Sequence, residues 1–367
     1  MSRRGIRLSP YEPWAAWENT RLNTPPRKIA ILGAGAIGCF LGAHWASACH
    51  AAGTQLTLIG RTATWDQMAP GPLRVSGGVP LQTQLSLLDL ADSPAALDGA
   101  DLVLLAHKST GLERSIQQLS AHVADDTTII SLMNGVSPVD HLRAALPRHH
   151  IVAGMVPFNV VWKSGSHLHR SSTGDLALER TCATEALAQL VAATGVPVQL
   201  CPDLKPLQYG KLLLNLINPV NALSGLPLRE MLCQRDYRRV YAAVLREALS
   251  VYDAAHIQWR RVGPLSPRLV HRLLLLPDAV FNSTLLNLQK LDPESMTSMA
   301  ADMAAGRPTE IDTLTNEILR LAEQSGTAAP INASLSELIR QAEAAPHPTG
   351  ARSTQSLLEH LRLSHEC

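Results

Sequence analysis

Lys211, Asn215 and Asn218 stand at i, i+4 and i+7 in YGKLLLNLINPVNALSGLPL, residues 209–228. On one continuous α-helix those positions fall within about 60° of each other. Leu212, Leu213, Leu214, Leu216 and Ile217 cover the other directions. An amine and two amides thus share a polar stripe on a helix that is otherwise apolar nearly all round. A buried helix keeps three polar positions together only where they meet partners, and the composition does not suit an exposed face. Burial of an amine there draws its pKa down.

A second polar cluster lies in SMTSMAADMAAGRPTEID, residues 295–312. Gly306 and Pro308 close one helix, and Thr309 with Asp312 reads as a T-x-x-D capping box for the next. Glu310 falls in that first turn, where the helix dipole already favours an acid. It therefore reads equally as a cap residue or a functional carboxylate. Ser298 reads equally as a helix-surface hydroxyl or a ligand.

The nucleotide signal is Gly33, Gly35 and Gly38 in GAGAIG, with Ala36 and Ile37 between the last two. That G-x-G-x-x-G follows the strand-like KIAIL and opens a small-residue helix. A pyrophosphate then sits on the free N–H groups at the helix N-terminus. NAD-preferring sites end the second strand with an acid that holds the ribose hydroxyls. Here no acidic residue occurs between Ile29 and Trp65, and the strand ends in Arg61. A guanidinium there suits the 2′-phosphate of NADPH. Two more strand ends, Lys108 after DLVLLAH and Asn134-Gly135 after TTIISLM, fall on the same sheet edge. Alone, the first is an ordinary snorkelling lysine and the second a turn signal; together they outline a pocket.

Apolar runs alternating with helical segments position these groups. The spacing predicts an α/β fold, with an N-terminal Rossmann-type doubly wound sheet followed by an all-α C-terminal domain. In this reading 1–26 is a flexible N-terminal extension, 27–201 binds NADP, 202–345 is the helical substrate and catalytic domain, and 346–367 is a tail. HIVAGMVPFNVVW, HLHRSS and GDLALE are expected to close the sheet. The 367 residues are 46% hydrophobic and 17% charged with net charge +1, a balance that suggests neither nucleic acid nor an anionic membrane as partner. No apolar run approaches a membrane span or a signal peptide, and the six cysteines are scattered, so a cytoplasmic protein is expected. His167-x-His169 reads as solvated surface, no metal is expected, and no G-x-S-x-G occurs.

GAGAIG, HKS, MNG, GKLLLN-x-x-NP and SM-x-x-D-x-x-x-GRPTEID together resemble the ketopantoate reductase (2-dehydropantoate 2-reductase) family, from about Lys28 to about Ala344. The resemblance implies NADPH-dependent reduction of 2-dehydropantoate to (R)-pantoate, a step of pantothenate biosynthesis, and a homodimer. It makes Lys211 the catalytic general acid and Glu310 the acid that holds the substrate hydroxyl and helps place the lysine. Gly33, Gly35, Ala36, Ile37, Gly38, Arg61, Lys108 and Asn134 become cofactor ligands; Asn134, Asn215, Asn218 and Ser298 become substrate ligands. Hydride arriving at a ketone carbon builds negative charge on oxygen, which a nearby ammonium stabilises and protonates. The chain departs from the pattern in placing Asn218 seven rather than eight residues after the lysine, in Gly111, and in a longer 258–294 stretch. The same chemistry on another 2-keto acid or ketone is the alternative. A non-catalytic NADP-binding sensor is a further one, which the intact lysine site opposes.

Overall fold

The computed structural model describes residues 25–68, 71–284, 286, 294–345 and 352–363. The expected N-terminal extension thus lies almost wholly outside the described residues. Short aliphatic runs become twelve strands: β1 (Lys28–Leu32), β2 (Gln55–Ile59), β3 (Leu73–Ser76), β4 (Leu81–Thr83), β5 (Asp89–Ala91), β6 (Leu102–Leu105), β7 (Thr128–Ser131), β8 (His150–Met155), β9 (Val160–Ser164), β10 (His167–Arg170), β11 (Leu176–Glu179) and β12 (Val198–Cys201). β1 sends Ile29 and Ile31 into one core and Ala30 and Leu32 into the other. Burial on both faces is why KIAIL is a continuous apolar run rather than an alternating one.

The main sheet runs β12-β11-β8-β7-β6-β1-β2-β5 and is parallel except where β11 meets β8. The chain moves outward from β1 to β2 and β5, then returns to lay β6 on the other side of β1. Such a reversal opens a crevice at the carboxyl ends of the two central strands. Here the turn after β1 touches the turn after β6: a Cβ on Gly33, whose φ is +115°, would lie 2.7 Å from the His107 nitrogen.

β9 and β10 do not close this sheet as expected. They pair with β3 and β4 in a separate sheet of order β4-β3-β10-β9. The reason is the helix Ala36–Ala51, which buries apolar residues all round, Phe40 and Trp45 among them. One sheet covers only one side of it; Leu73, Val75, Val160 and Leu168 of the second sheet join the same core. His167 and His169 both approach the Ser76 hydroxyl, at 2.7 and 3.0 Å. Among the described residues no cluster able to hold a metal occurs, and no helix is long and apolar enough to cross a membrane.

Past Cys201 the chain is helical, beginning with Lys205–Asn215 and built around the long helix Arg235–Ala254. The described part of the 258–294 stretch packs on this core. Arg238, fully buried, donates to the carbonyls of Leu232, Leu274 and Leu276 and to Asp278, with its guanidinium over the Phe281 ring. The expected tail is not entirely a tail, because Thr354–His360 forms a further helix. It buries Leu357 and Leu358 in the helical core, where apolar burial outweighs the cost of ordering the segment. Leu357→Ala is expected to destabilise the protein by about 2–5 kcal/mol, read from its denaturant midpoint; an unchanged midpoint would mean the helix contributes nothing.

Candidate active site

The helix Lys205–Asn215 is aimed by an unusually close approach. Its Gly210 faces the strap that follows the long helix, and a Cβ there would lie 1.8 Å from the Arg260 carbonyl oxygen. The Arg260 N–H in turn donates to the Pro206 carbonyl at 2.8 Å. Glycine therefore lets backbone meet backbone, and the next residue, Lys211, is delivered to the carboxyl edge of the main sheet.

There the Lys211 ammonium donates to Asn134 Oδ1 at 2.7 Å and to the Val156 carbonyl at 2.7 Å. Asn134 donates from Nδ2 to Glu310 Oε2 at 2.9 Å. The other Glu310 oxygen accepts from the Ser109 amide at 3.1 Å and the Ser109 hydroxyl at 3.2 Å. The Ser109 hydroxyl lies 3.0 Å from Thr313 Oγ1. Lysine, amide, carboxylate and serine thus form one chain of hydrogen bonds crossing between the domains. Burial lowers the Lys211 pKa to about 8, and the nearby Glu310 charge opposes that shift without cancelling it. Met133, Asn134, Gly135, Gly154, Met155, Gln208, Lys211, Leu212 and Asn215 line a small cavity, so the structure brings Lys211, Asn134 and Asn215 together.

The helix expected to carry the three-residue stripe is interrupted. Pro219 has no N–H for the Asn215 carbonyl and its ring crowds that carbonyl. The helix accordingly ends at Asn215, turns at Leu216 and restarts as Ile217–Ser224. Asn218 lies past the break, buried, and outside the cavity lining. Ser298 is exposed at the start of the helix Ser298–Ala304 and does not line the cavity either. The expected capping box is also absent. Thr309 Oγ1 accepts from the Ile311 amide, while Asp312 bonds Asn316 and Arg340 outside the cap, and a 3-10 turn Ile311–Thr313 follows. Without the cap duty Glu310 is free to point at Ser109 and Asn134, and it is only 5% exposed.

Ser109, Thr313 and Asn221 are site-building residues that the sequence reading passes over. Asn221 is fully buried and accepts from the Thr297 amide at 3.0 Å, fixing the start of the Ser298–Ala304 helix. The signal for Ser109 was its place directly after Lys108; hydroxyls elsewhere give no comparable cue.

The glycine turn fits a dinucleotide. A Cβ on Gly38 would lie 2.1 Å from the Gly33 carbonyl oxygen, whereas one on Gly35 meets nothing within 4 Å. Gly38 is thus required by the fold, and the room beside Gly35 is where a pyrophosphate can approach the backbone of Ala36 and Ile37. Arg61, exposed, follows β2 on the same edge. Gly35→Ala is expected to leave the melting temperature unchanged and weaken dinucleotide binding at least tenfold, whereas Gly38→Ala lowers the melting temperature itself. Equal effects of the two substitutions on stability would contradict this division.

Two family models match the chain: ketopantoate reductase PanE/ApbA over residues 29–181, and the C-terminal part of the same family over 203–343. A 2-dehydropantoate 2-reductase of Vibrio cholerae is 24% identical over 324 residues, which cover 86% of this chain and 97% of that one. The crystal structure of a PanE/ApbA family ketopantoate reductase from Ralstonia eutropha superposes with a TM-score of 0.72 at 28% identity, covering 86% and 98% of the two chains. A D-mandelate dehydrogenase solved with NADH and anilino(oxo)acetate shares the fold, with a TM-score of 0.68, 21% identity and coverage of 86% and 98%. A parallel sheet with a glycine turn after its first strand, followed by a helical domain, agrees with the two family models, and the chain belongs to the ketopantoate reductase family, a family of pyridine-nucleotide-dependent oxidoreductases acting on CH–OH groups.

Proposed function

We propose that this protein reduces 2-dehydropantoate to (R)-pantoate with NADPH, Lys211 being the general acid, and so serves pantothenate biosynthesis. The observation that carries the reading is the Lys211 ammonium, its pKa lowered to about 8, bonded through Asn134 to Glu310 in the cleft between the domains. Gly35, Ala36, Ile37 and Arg61 hold the cofactor's phosphates, with Lys108 and Asn134 toward its reactive end. When bound, the reduced nicotinamide supplies the hydride.

The chain's own residues manage the proton. An ammonium has three hydrogens; two are engaged by Asn134 and Val156, leaving one for the substrate carbonyl oxygen. As charge builds on that oxygen the ammonium stabilises it and then gives up its proton, an effect of about 10²–10⁴-fold for a placed acid. Glu310 retains lone pairs to accept from a substrate hydroxyl. Asn215, on the cavity wall beside the lysine, orients the remaining polar groups of the substrate. Reduction of a different 2-keto acid is the second reading. Met133 and Met155 in the lining are flexible side chains that can repack around another substituent.

The test is NADPH oxidation with 2-dehydropantoate and a panel of other 2-keto acids. Turnover best on 2-dehydropantoate, with Lys211→Ala losing about 10²-fold or more, supports the proposal; a better substrate in the panel moves it to the second reading. The acid must be protonated to act, so the rate is level below pH about 8 and falls tenfold per unit above it. A rate still rising past pH 9 would exclude Lys211 as the acid. Arg61→Ser is expected to raise KM for NADPH at least tenfold while leaving NADH unaffected; an equal change for both would remove Arg61 from 2′-phosphate recognition.

A further inference from the structure

Lys108 is the first cationic residue past β6, on the sheet edge that faces the cleft. Its backbone is held locally. His107 Nδ1 lies 2.9 Å from the Lys108 carbonyl, which can only accept, so Nδ1 donates and Nε2 accepts from the Ser115 hydroxyl at 2.6 Å. Burial lowers the His107 pKa, against the pull of that carbonyl and of Glu310, and favours this neutral form. The side chain is held from the other domain. The Lys108 ammonium donates to Asp302 Oδ2, and Asp302 Oδ1 accepts from Arg307 Nε at 3.1 Å.

The exposures are unequal in an informative way. The Asp302 side chain is 2% exposed, whereas Lys108 is 41% and Arg307 58% exposed. A carboxylate that deep needs its charge met at both oxygens. Arg307 lies five residues on in the same domain, and its backbone N–H also donates to the Asp302 carbonyl at 2.9 Å, so that pair closes within the helical domain. Lys108 comes from the nucleotide-binding domain. Its long side chain would otherwise sample many rotamers, and one bond to a buried anchor removes that freedom before any ligand arrives.

We propose that Asp302 is a positioning residue of this reductase, holding the Lys108 ammonium in the cleft where the cofactor's reactive end enters. Asp302 does not act on the cofactor itself; it acts through Lys108. The proposal rests on the NADPH-dependent reduction proposed above for the role of the cleft, but it is testable by cofactor binding alone.

The experiment is a double-mutant cycle of Asp302→Asn and Lys108→Met, read as the NADPH dissociation constant by fluorescence titration and, separately, as kcat. Each single substitution is expected to weaken NADPH binding about tenfold and lower kcat by a similar factor. The double variant is expected to be no worse than Lys108→Met alone, because Asp302 has nothing left to position. The fall in rate above pH about 8 should stay where it is, since that limb belongs to Lys211. Arg307→Gln, which leaves the Lys108 contact in place, should bind NADPH within threefold of the unaltered protein. If Asp302→Asn does not fold, Asp302→Glu keeps the charge while lengthening the arm by one methylene. It should weaken NADPH binding in the Lys108 protein and change nothing in the Lys108→Met protein. Multiplying effects in the cycle, or unchanged NADPH binding in the Asp302 variant that folds, would overturn the proposal. Absence of turnover on every keto acid would sink the functional reading instead, while the binding cycle still decides the role of Asp302.

Discussion

Asn134 sits between a cation and an anion, and each end of its amide answers one of them. Its carbonyl oxygen accepts from Lys211 and its NH₂ donates to Glu310. A symmetric group, a carboxylate or an alkyl chain, could not satisfy both. The amide orientation is therefore set by its neighbours, and with it the separation of lysine from glutamate. Because Lys211 and Glu310 belong to the helical domain and Asn134 to the turn after β7, the same two bonds also fix how the domains meet. Ser109 repeats the device one strand over, donating twice to the Glu310 oxygen that Asn134 leaves free.

Placing the lysine in this way has an electrostatic consequence. Burial makes the Lys211 ammonium less stable and its proton easier to give, while the Glu310 charge limits that loss. Glu310 on its own would hold the lysine fully charged, and burial on its own would risk leaving it neutral at working pH. The amide keeps the two groups one residue apart rather than in a direct ion pair. That separation leaves the lysine with a pKa of about 8, which suits the general-acid role proposed for it.

What was legible in the sequence follows the reach of the forces involved. The glycine turn, the apolar strands and the change to helices past Cys201 are set by local geometry, so spacing alone reveals them. Pro219 interrupts a helix that a pure 3.6-residue period treats as continuous, so the period alone does not place Asn218. β9 and β10 were misassigned to the main sheet because a strand's partners depend on what a distant helix still has exposed, here the outer side of Ala36–Ala51. Glu310 was ambiguous for a similar reason. A cap and a cross-domain ligand look alike until the partner, Ser109, is seen 201 residues away. Asp302 sat in a quoted motif without a role, since nothing local says that its partner is Lys108.

Gly210 joins these observations. The strap at Arg260 rests on the lysine helix through backbone alone, and Val262 just beyond it packs against the nucleotide-domain core. The 258–294 stretch therefore begins as a brace across both domains before it forms the helices that Arg238 pins. Among the described residues it lines none of the cavity around Lys211, and it reaches the lysine helix through the backbone approach at Gly210. Under the proposed function, the side chains that meet the substrate are those of the cavity wall, Met133, Met155 and Asn215 among them.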